Sequence, residues 1–224
     1  ITFAAYPGEV TAVIGGTGSG KSTLINLIPR FFDVDSGSVL LDGKDVREIP
    51  RECLRARIGL VPQKNMLFAG TIAENIRFGR EQATEEEVRR AAEIAQATEF
   101  IDNVAGGLDH LVAPGGTNLS GGQKQRLAIA RALVKKPEVY IFDDSFSALD
   151  FKTDARLRAA LDKEITRATI IIVAQRVTTA MNADRIVVLD EGRVAGKGTH
   201  DELFKTCEVY REIVFSQLSE EEIA

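Results

Sequence analysis

The sequence predicts an α/β fold built on a parallel sheet, and three observations carry that reading. Four short β-branched, apolar runs have the composition of strands buried on both faces: "VTAVI" (Val10 to Ile14), "VYIF" (Val139 to Phe142), "TIIIVA" (Thr169 to Ala174) and "RIVVL" (Arg185 to Leu189). The first runs into the glycine-rich "GGTGSGKS" and then the apolar, helix-like "TLINLI", the order of a strand–turn–helix unit. A long helix-rich stretch, residues 64 to 136, separates the first run from the second.

The remaining elements follow in chain order. "SGSVLLDGKDV" (Ser36 to Val46) reads as a hairpin around the Asp42-Gly43 turn. In "TEEEVRRAAEIAQATEFI", Thr84 and Glu87 have capping-box spacing, and Val88, Ala91, Ala92 and Ala95 can form one apolar face. A second helix is expected over Gly122 to Lys135, stopped by Pro137. "VLDEGRVAGKG" (Val188 to Gly198) reads as another hairpin, and the acidic "SEEEIA" as a frayed tail. Three of the four strands end in polar residues, so Gly15 onward, Asp143-Asp144 and Gln175 should meet at the carboxyl edge of the sheet, where open α/β sheets bind ligands.

Bulk properties narrow the classes. The 224 residues carry 28 basic and 33 acidic side chains, a net charge of −5, which argues against nucleic acid as the main partner. Cys53 and Cys207 are the only cysteines and lack metal-ligand spacing, so neither a disulfide framework nor a zinc site is expected. No run of 18 apolar residues exists, and the first residue, Ile1 rather than Met, reads as the start of a domain taken from a longer protein.

"GGTGSGKS" satisfies G-x-x-x-x-G-K-[ST] with Gly15, Gly20, Lys21 and Ser22. Its glycines let backbone N–H groups of Gly16, Thr17, Gly18, Ser19 and Gly20 curl round phosphate oxygens, and the helix that follows adds positive potential. Lys21 can neutralise β- and γ-phosphates, Ser22 can ligate Mg²⁺, and Thr23 completes the phosphate-facing run. Asp143, ending an apolar strand, can hold Mg²⁺ through water, and the pairing with Lys21 gives that carboxylate its meaning. "LSGGQKQRLAIARAL" (Leu119 to Leu133) opens a helix with free donors at Ser120, Gly121 and Gly122. Capping chemistry alone does not separate an anion site there from an ordinary capped surface helix.

Taken together, "GGTGSGKST", "LSGGQ" and "DDSFSALD" resemble the nucleotide-binding domain of ATP-binding cassette (ABC) transporters over essentially the whole chain. The resemblance implies a P-loop NTPase, RecA-like core (residues 1–63 and 137–216), a small antiparallel β subdomain, an inserted helical subdomain (64–136) and a tail (217–224). It implies ATP and Mg²⁺ as cofactors, with Ser22, Gln63 and Asp143 at the metal and Gln63, in "LVPQKN", also reaching the attacking water. Leu119 to Gln123 would contact ATP held by a second nucleotide-binding domain through Ser120, Gly121, Gly122 and Gln123, and "SALD" (Ser147 to Asp150) would line that interface. "MLFAGTIAENIRFG" is similar to exporters, where it receives transmembrane domains. The expected location is therefore the cytoplasmic face of the cell membrane, as part of a membrane protein whose membrane helices lie outside this sequence.

Three departures stand out. Asp144 occupies a position where the family usually has Glu, shorter by one methylene, and Gln175 stands where the switch loop carries His. Retracting the carboxylate by about 1.5 Å can cost on the order of 100-fold in rate, and Gln cannot carry the charge of an imidazolium. "VAPGGTNLS" has Pro114, Gly115 and Gly116 where exporters often carry a Glu-Arg-Gly pattern. Neither His110 nor His200 replaces position 175, and His200 is expected at the surface near a helix start. Phe3 and Tyr6 are expected to pack in the core; the family's adenine-stacking aromatic would precede Ile1. The expectation is an exporter ATPase whose own site, with Asp144, Gln175 and Gln63 in catalytic roles, is degenerate, and whose partner is a different subunit. Two alternatives stay open: a homodimeric exporter in which these variants suffice, and a non-hydrolysing regulatory module.

Overall fold

The computed structural model describes residues 1–219; the frayed end expected for the tail, residues 220–224, lies outside the described residues. The chain divides into two compact units: Ile1–Ile58 with Glu138–Asp144 and Ala168 onward, and Gly59–Pro137 with Ser145–Arg167.

Among the described residues, the main sheet of the first unit is formed by β1 (Val10–Gly15), β2 (Val139–Asp143), β3 (Thr169–Ala174), β4 (Arg185–Asp190) and β5 (Arg193–Gly198), in the spatial order β5-β4-β1-β3-β2. β1 pairs parallel with β3 and β4, and β2 parallel with β3; only β5 runs antiparallel, joined to β4 by a tight turn. All four expected strands form, and β1, β2 and β4 each extend one residue further than the apolar run. Burial explains their composition: β2 and β3 are buried along their whole length, whereas β5 at the edge never is. Both hairpin turns use consecutive positive-φ residues, Asp42 (52°) with Gly43 (78°) and Glu191 (44°) with Gly192 (75°), the geometry that matches strand twist. The Asp42-Gly43 turn joins two-residue strands, Leu40–Leu41 and Lys44–Asp45.

Against this sheet lies an apolar cluster in which Ala12, Ile14, Ile186 and Val188 meet Val177, Leu203, Tyr210 and Val214. It is supplied by the helices Val177–Ala180, His200–Thr206 and Glu208–Gln217. His200 begins its helix, but its Nδ1 lies 2.9 Å from the Tyr210 hydroxyl, so the ring is partly covered rather than simply exposed. Tyr6 corrects the core expectation: it is 47% exposed, with the Arg185 guanidinium 5.0 Å from its ring centre. A ring held over a cation at the surface can remain half in water.

The second unit is mainly helical: Ile72–Arg77, Glu85–Ile94, Thr98–Asn103, Gly121–Val134 and Phe151–Glu164. The Thr84–Glu87 capping box forms, and Val88, Ala91, Ala92 and Ala95 are all buried as the periodicity predicts. The stretch to Ile101 is broken into two helices at Gln96, whose φ of 56° ends the first. The later helix starts at Gly121, one residue before the expected start, because Ser120 takes the N-cap, and the chain leaves it through Lys136 (φ 53°) and Pro137. The strand Ile58–Val61, which straddles the boundary of the units, was not expected; its four residues include a glycine and too few β-branched side chains to stand out.

Candidate functional site

The parallel register places the three segments singled out in the sequence at one edge of the first unit. Ile14 lies opposite Ala174, and Asp143 opposite Val173, so Gly15 and Asp143, which end β1 and β2, and Asp144 and Gln175, which follow β2 and β3, share the carboxyl edge of neighbouring strands. The expected convergence at this edge is thus a consequence of strand pairing.

The glycine-rich loop is shaped by close approach at one end and by unusual backbone at the other. A Cβ on Gly15 would sit 2.1 Å from the Leu189 carbonyl oxygen, so only glycine fits between β1 and β4. Gly18 and Gly20 have φ of 81° and 95°, and Gly20 forms the N-cap of the helix Lys21–Leu27 without any side-chain cap. Gly16 and Thr17 are exposed, while Ser19 is buried and its N–H donates to the Gly16 carbonyl at 3.2 Å.

Lys21 folds back over the loop. Its Nζ donates to the carbonyls of Gly15 (2.8 Å) and Gly16 (2.7 Å) and lies 3.3 Å from Ser19 Oγ. Burial pushes its pKa below the ordinary lysine value, opposed by the charges of Asp143 and Asp144. Ser22 Oγ donates to Asp143 Oδ1 at 3.3 Å. Burial also raises the Asp143 carboxyl above its ordinary range, offset by the Ser22 hydrogen bond; Asp144 reinforces the rise and Lys21 opposes it. The edge therefore gathers a cation, a hydroxyl and two carboxylates, one of them kept short of water. Thr23 follows, exposed, on the same helix.

Asp144 adopts a left-handed backbone (φ 48°) while its N–H donates to the Val173 carbonyl at 3.1 Å. That conformation turns the chain sharply at the end of β2, and aspartate is among the side chains that tolerate it best. Gln175 is exposed just beyond β3. Its carbonyl accepts a hydrogen bond from Gln217 Nε2 at 2.9 Å, and Gln217 Oε1 accepts from the Val177 N–H at 2.8 Å. Sequence reasoning missed Gln217: an isolated glutamine ahead of an acidic tail carries no local signal.

In the second unit, Gln63 is exposed two residues after the strand Ile58–Val61. The Val61 carbonyl in turn accepts a hydrogen bond from the buried Ser145 hydroxyl at 3.0 Å. Ser120 and Gln123 close a capping box: Ser120 Oγ accepts from the Gln123 N–H at 3.3 Å, and Gln123 Oε1 from the Ser120 N–H at 2.8 Å. Gly121 is exposed with nothing within 4 Å of a Cβ built on it, whereas at Gly122 a Cβ would come within 3.3 Å of the Ala148 carbonyl. The start of this helix is thus packed against the "SALD" segment. Asp150, ending that segment, caps the next helix by accepting from the Thr153 N–H (2.9 Å) and hydroxyl (2.7 Å), which hold its carboxyl below the ordinary range.

Comparison with known proteins gives the family. The family described as ABC transporter matches residues 1–147. An ABC transporter ATP-binding protein of Mycobacterium tuberculosis is 50% identical over 220 residues, 97% of this chain and 38% of that protein. YfiB of Bacillus subtilis, likewise an ABC transporter ATP-binding protein, is 48% identical over 221 residues, 99% of this chain and 38% of its own length. A solved bacterial Atm1-family ABC exporter with ATP bound superposes with a TM-score of 0.94 at 39% identity, covering 97% of this chain and 38% of that one. The chain therefore spans about two fifths of the length of these relatives. Among the described residues, no helix is long and apolar enough to cross a membrane.

Proposed function

Because the chain belongs to the ABC transporter family, as an ATP-binding domain, we propose that it is the motor of an exporter and that its own nucleotide site is degenerate while its signature serves a partner's site. The observation that carries this reading is the edge where Lys21, Ser22 and Asp143 meet, flanked by Asp144 and Gln175 in place of Glu and His. ATP would lay its phosphates along the loop N–H groups of residues 16–20, with Lys21 exchanging its loop carbonyls for β- and γ-oxygens.

The donor set fits Mg²⁺. Ser22 Oγ and Asp143 Oδ1 are hard oxygen ligands 3.3 Å apart, and a carboxylate held short of water gains most from a facing cation. Ser22 and Asp143 would hold the ion, with Gln63 added to this set by the motif resemblance, and the ion would supply positive charge against the phosphates. Asp144 would orient the attacking water from a carboxylate shorter than the usual Glu. Gln175 would hydrogen-bond the γ-phosphate without supplying positive charge. Ser120, Gly121, Gly122 and Gln123 would meet the nucleotide of a second ABC domain, a different subunit on this reading. Transmembrane domains would take up the motion, at the cytoplasmic face of the membrane.

A complementation assay tests the division of labour. One version carries Lys21→Ala, with its signature intact. The other carries Asp144→Glu and Gln175→His, restoring the site, together with Ser120→Arg to block the signature. Each version alone should be nearly inactive as an ATPase, and the mixture active. If the mixture is as slow as its components while both still bind to one another, the signature does not serve a partner's site.

A further inference from the structure

The helix Val177–Ala180 begins two residues after Gln175 and lacks a cap of its own. Arg176 occupies the N-cap position with extended backbone (φ −95°, ψ 131°), and a guanidinium has no acceptor to offer the first N–H. The acceptor comes from far along the chain. Gln217 Oε1 takes the Val177 N–H at 2.8 Å, and Gln217 Nε2 donates to the Gln175 carbonyl at 2.9 Å. One primary amide thus bridges the peptide groups on either side of Arg176. Its orientation is unambiguous, because an N–H can only donate and a carbonyl only accept.

The platform for this bridge is rigid. Gln217 is the last residue of the helix Glu208–Gln217, which buries Tyr210 and Val214 completely in the cluster containing Ala174, Val177 and Ala180, with Leu218 packed against it. The amide therefore reaches only a short way from a fixed backbone to the segment that leaves β3. The Gln217 residue itself is exposed, so little apolar packing depends on its side chain.

We propose that Gln217 is a positioning residue that holds the Gln175 segment where its side chain can meet the γ-phosphate, linking the C-terminal helix to the nucleotide site. The proposal rests on the reading of Gln175 as the γ-phosphate contact. Loss of the bridge leaves the phosphate loop, and hence the α- and β-phosphate contacts, unchanged. Its signature is therefore a change in preference between ATP and ADP.

The test is equilibrium binding of Mg²⁺-ATP and Mg²⁺-ADP to the full chain and to Gln217→Ala, Gln217→Glu and Gln175→Ala, with urea midpoints as a check of folding. Gln217→Ala should weaken ATP by about three- to tenfold, the worth of one or two ordinary hydrogen bonds, and leave ADP unchanged. Gln217→Glu keeps the acceptor for Val177 but faces the Gln175 carbonyl with a carboxylate, and should lose at least as much. Combining Gln217→Ala with Gln175→Ala should add nothing to Gln175→Ala alone. If Gln175→Ala lowers the ATP preference and the Gln217 variants do not, the proposal is wrong and the role of Gln175 stands. If Gln175→Ala leaves the preference unchanged, the reading of Gln175 falls and the proposal with it. Equal weakening of ATP and ADP by Gln217→Ala would make the bridge merely structural and also overturn it.

Discussion

Replacing Gly15 by alanine should damage the fold, while the same change one residue later should not. The added Cβ at position 15 would lie 2.1 Å from the Leu189 carbonyl oxygen and 2.8 Å from Ser19 Oγ. Carbon–oxygen contacts in folded proteins settle near about 3.3 Å or beyond, so relief requires about 1 Å of movement. The opposing atom belongs to backbone: Gly15 and Leu189 are in register between β1 and β4, and neither can retreat without opening the ladder. Overpacking typically costs about 1–3 kcal/mol, and a backbone obstacle puts this case near the upper end, about 3 kcal/mol. In a chain of 224 residues each kcal/mol moves the melting temperature by about 2–4 °C, so a drop of about 6–12 °C is expected. At Gly16 nothing lies within 4 Å of the new atom, and Gly16→Ala should stay within about 0.5 kcal/mol of the parent or gain slightly through the unfolded chain. Urea unfolding with a shared m-value measures both. A Gly15→Ala chain as stable as the parent, or equal losses at the two positions, would refute the steric argument.

Further expectations concern charge, capping and backbone. Burial raises the Asp143 carboxyl, so the folded chain holds this proton to higher pH than the unfolded one; the site costs stability above its folded pKa and nothing below the ordinary value of 3.8. Asp143→Asn should therefore stabilise the nucleotide-free chain at neutral pH, with the gain fading in acid, while abolishing the dependence of ATP binding on Mg²⁺; urea midpoints against pH and binding with and without the ion check this. Glu87 has the opposite sign: Lys136 first, then Arg80 and the Thr84 N–H, lower its pKa from 4.5 to about 2. Its contribution is present above 4.5 and lost towards pH 2, so the stability gap between parent and Glu87→Gln should close across that window. Ser120→Ala removes an N-cap and should cost about 1 kcal/mol in urea unfolding. At Asp144, with φ at 48°, Asp144→Gly should relieve backbone strain by up to about 1 kcal/mol while removing the carboxylate, so stability rises as turnover falls.

Much of the framework was legible because burial on both faces writes itself into composition. β2 and β3 read as unbroken apolar runs, and the rule that open α/β sheets bind ligands at the carboxyl ends of their strands is enough to expect Gly15, Asp143 and Gln175 at one edge. Turns whose backbone favours glycine at Gly43 and Gly192, and the Thr84 capping box, were legible for a local reason. What escaped depends on contacts between distant segments. The strand Ile58–Val61 is short and carries a glycine, and the break at Gln96 leaves no glycine or proline as a marker. Core packing is the default reading of an aromatic such as Tyr6, but Arg185, distant in sequence, meets its ring at the surface. The Gln217 bridge binds main-chain groups, and any residue supplies those, so no pattern at 175 or 177 could announce it.

The most direct test of the central claim is steady-state Mg²⁺-ATP turnover of this chain beside Asp144→Glu/Gln175→His, at concentrations that allow dimerisation and with ATP binding measured separately. A degenerate site predicts slow turnover in the parent and a gain on the order of 100-fold in the double variant, the worth of restored carboxylate reach. Parent turnover at the rates of ordinary transport ATPases, or a double variant that binds ATP and dimerises yet stays as slow as the parent, would contradict it.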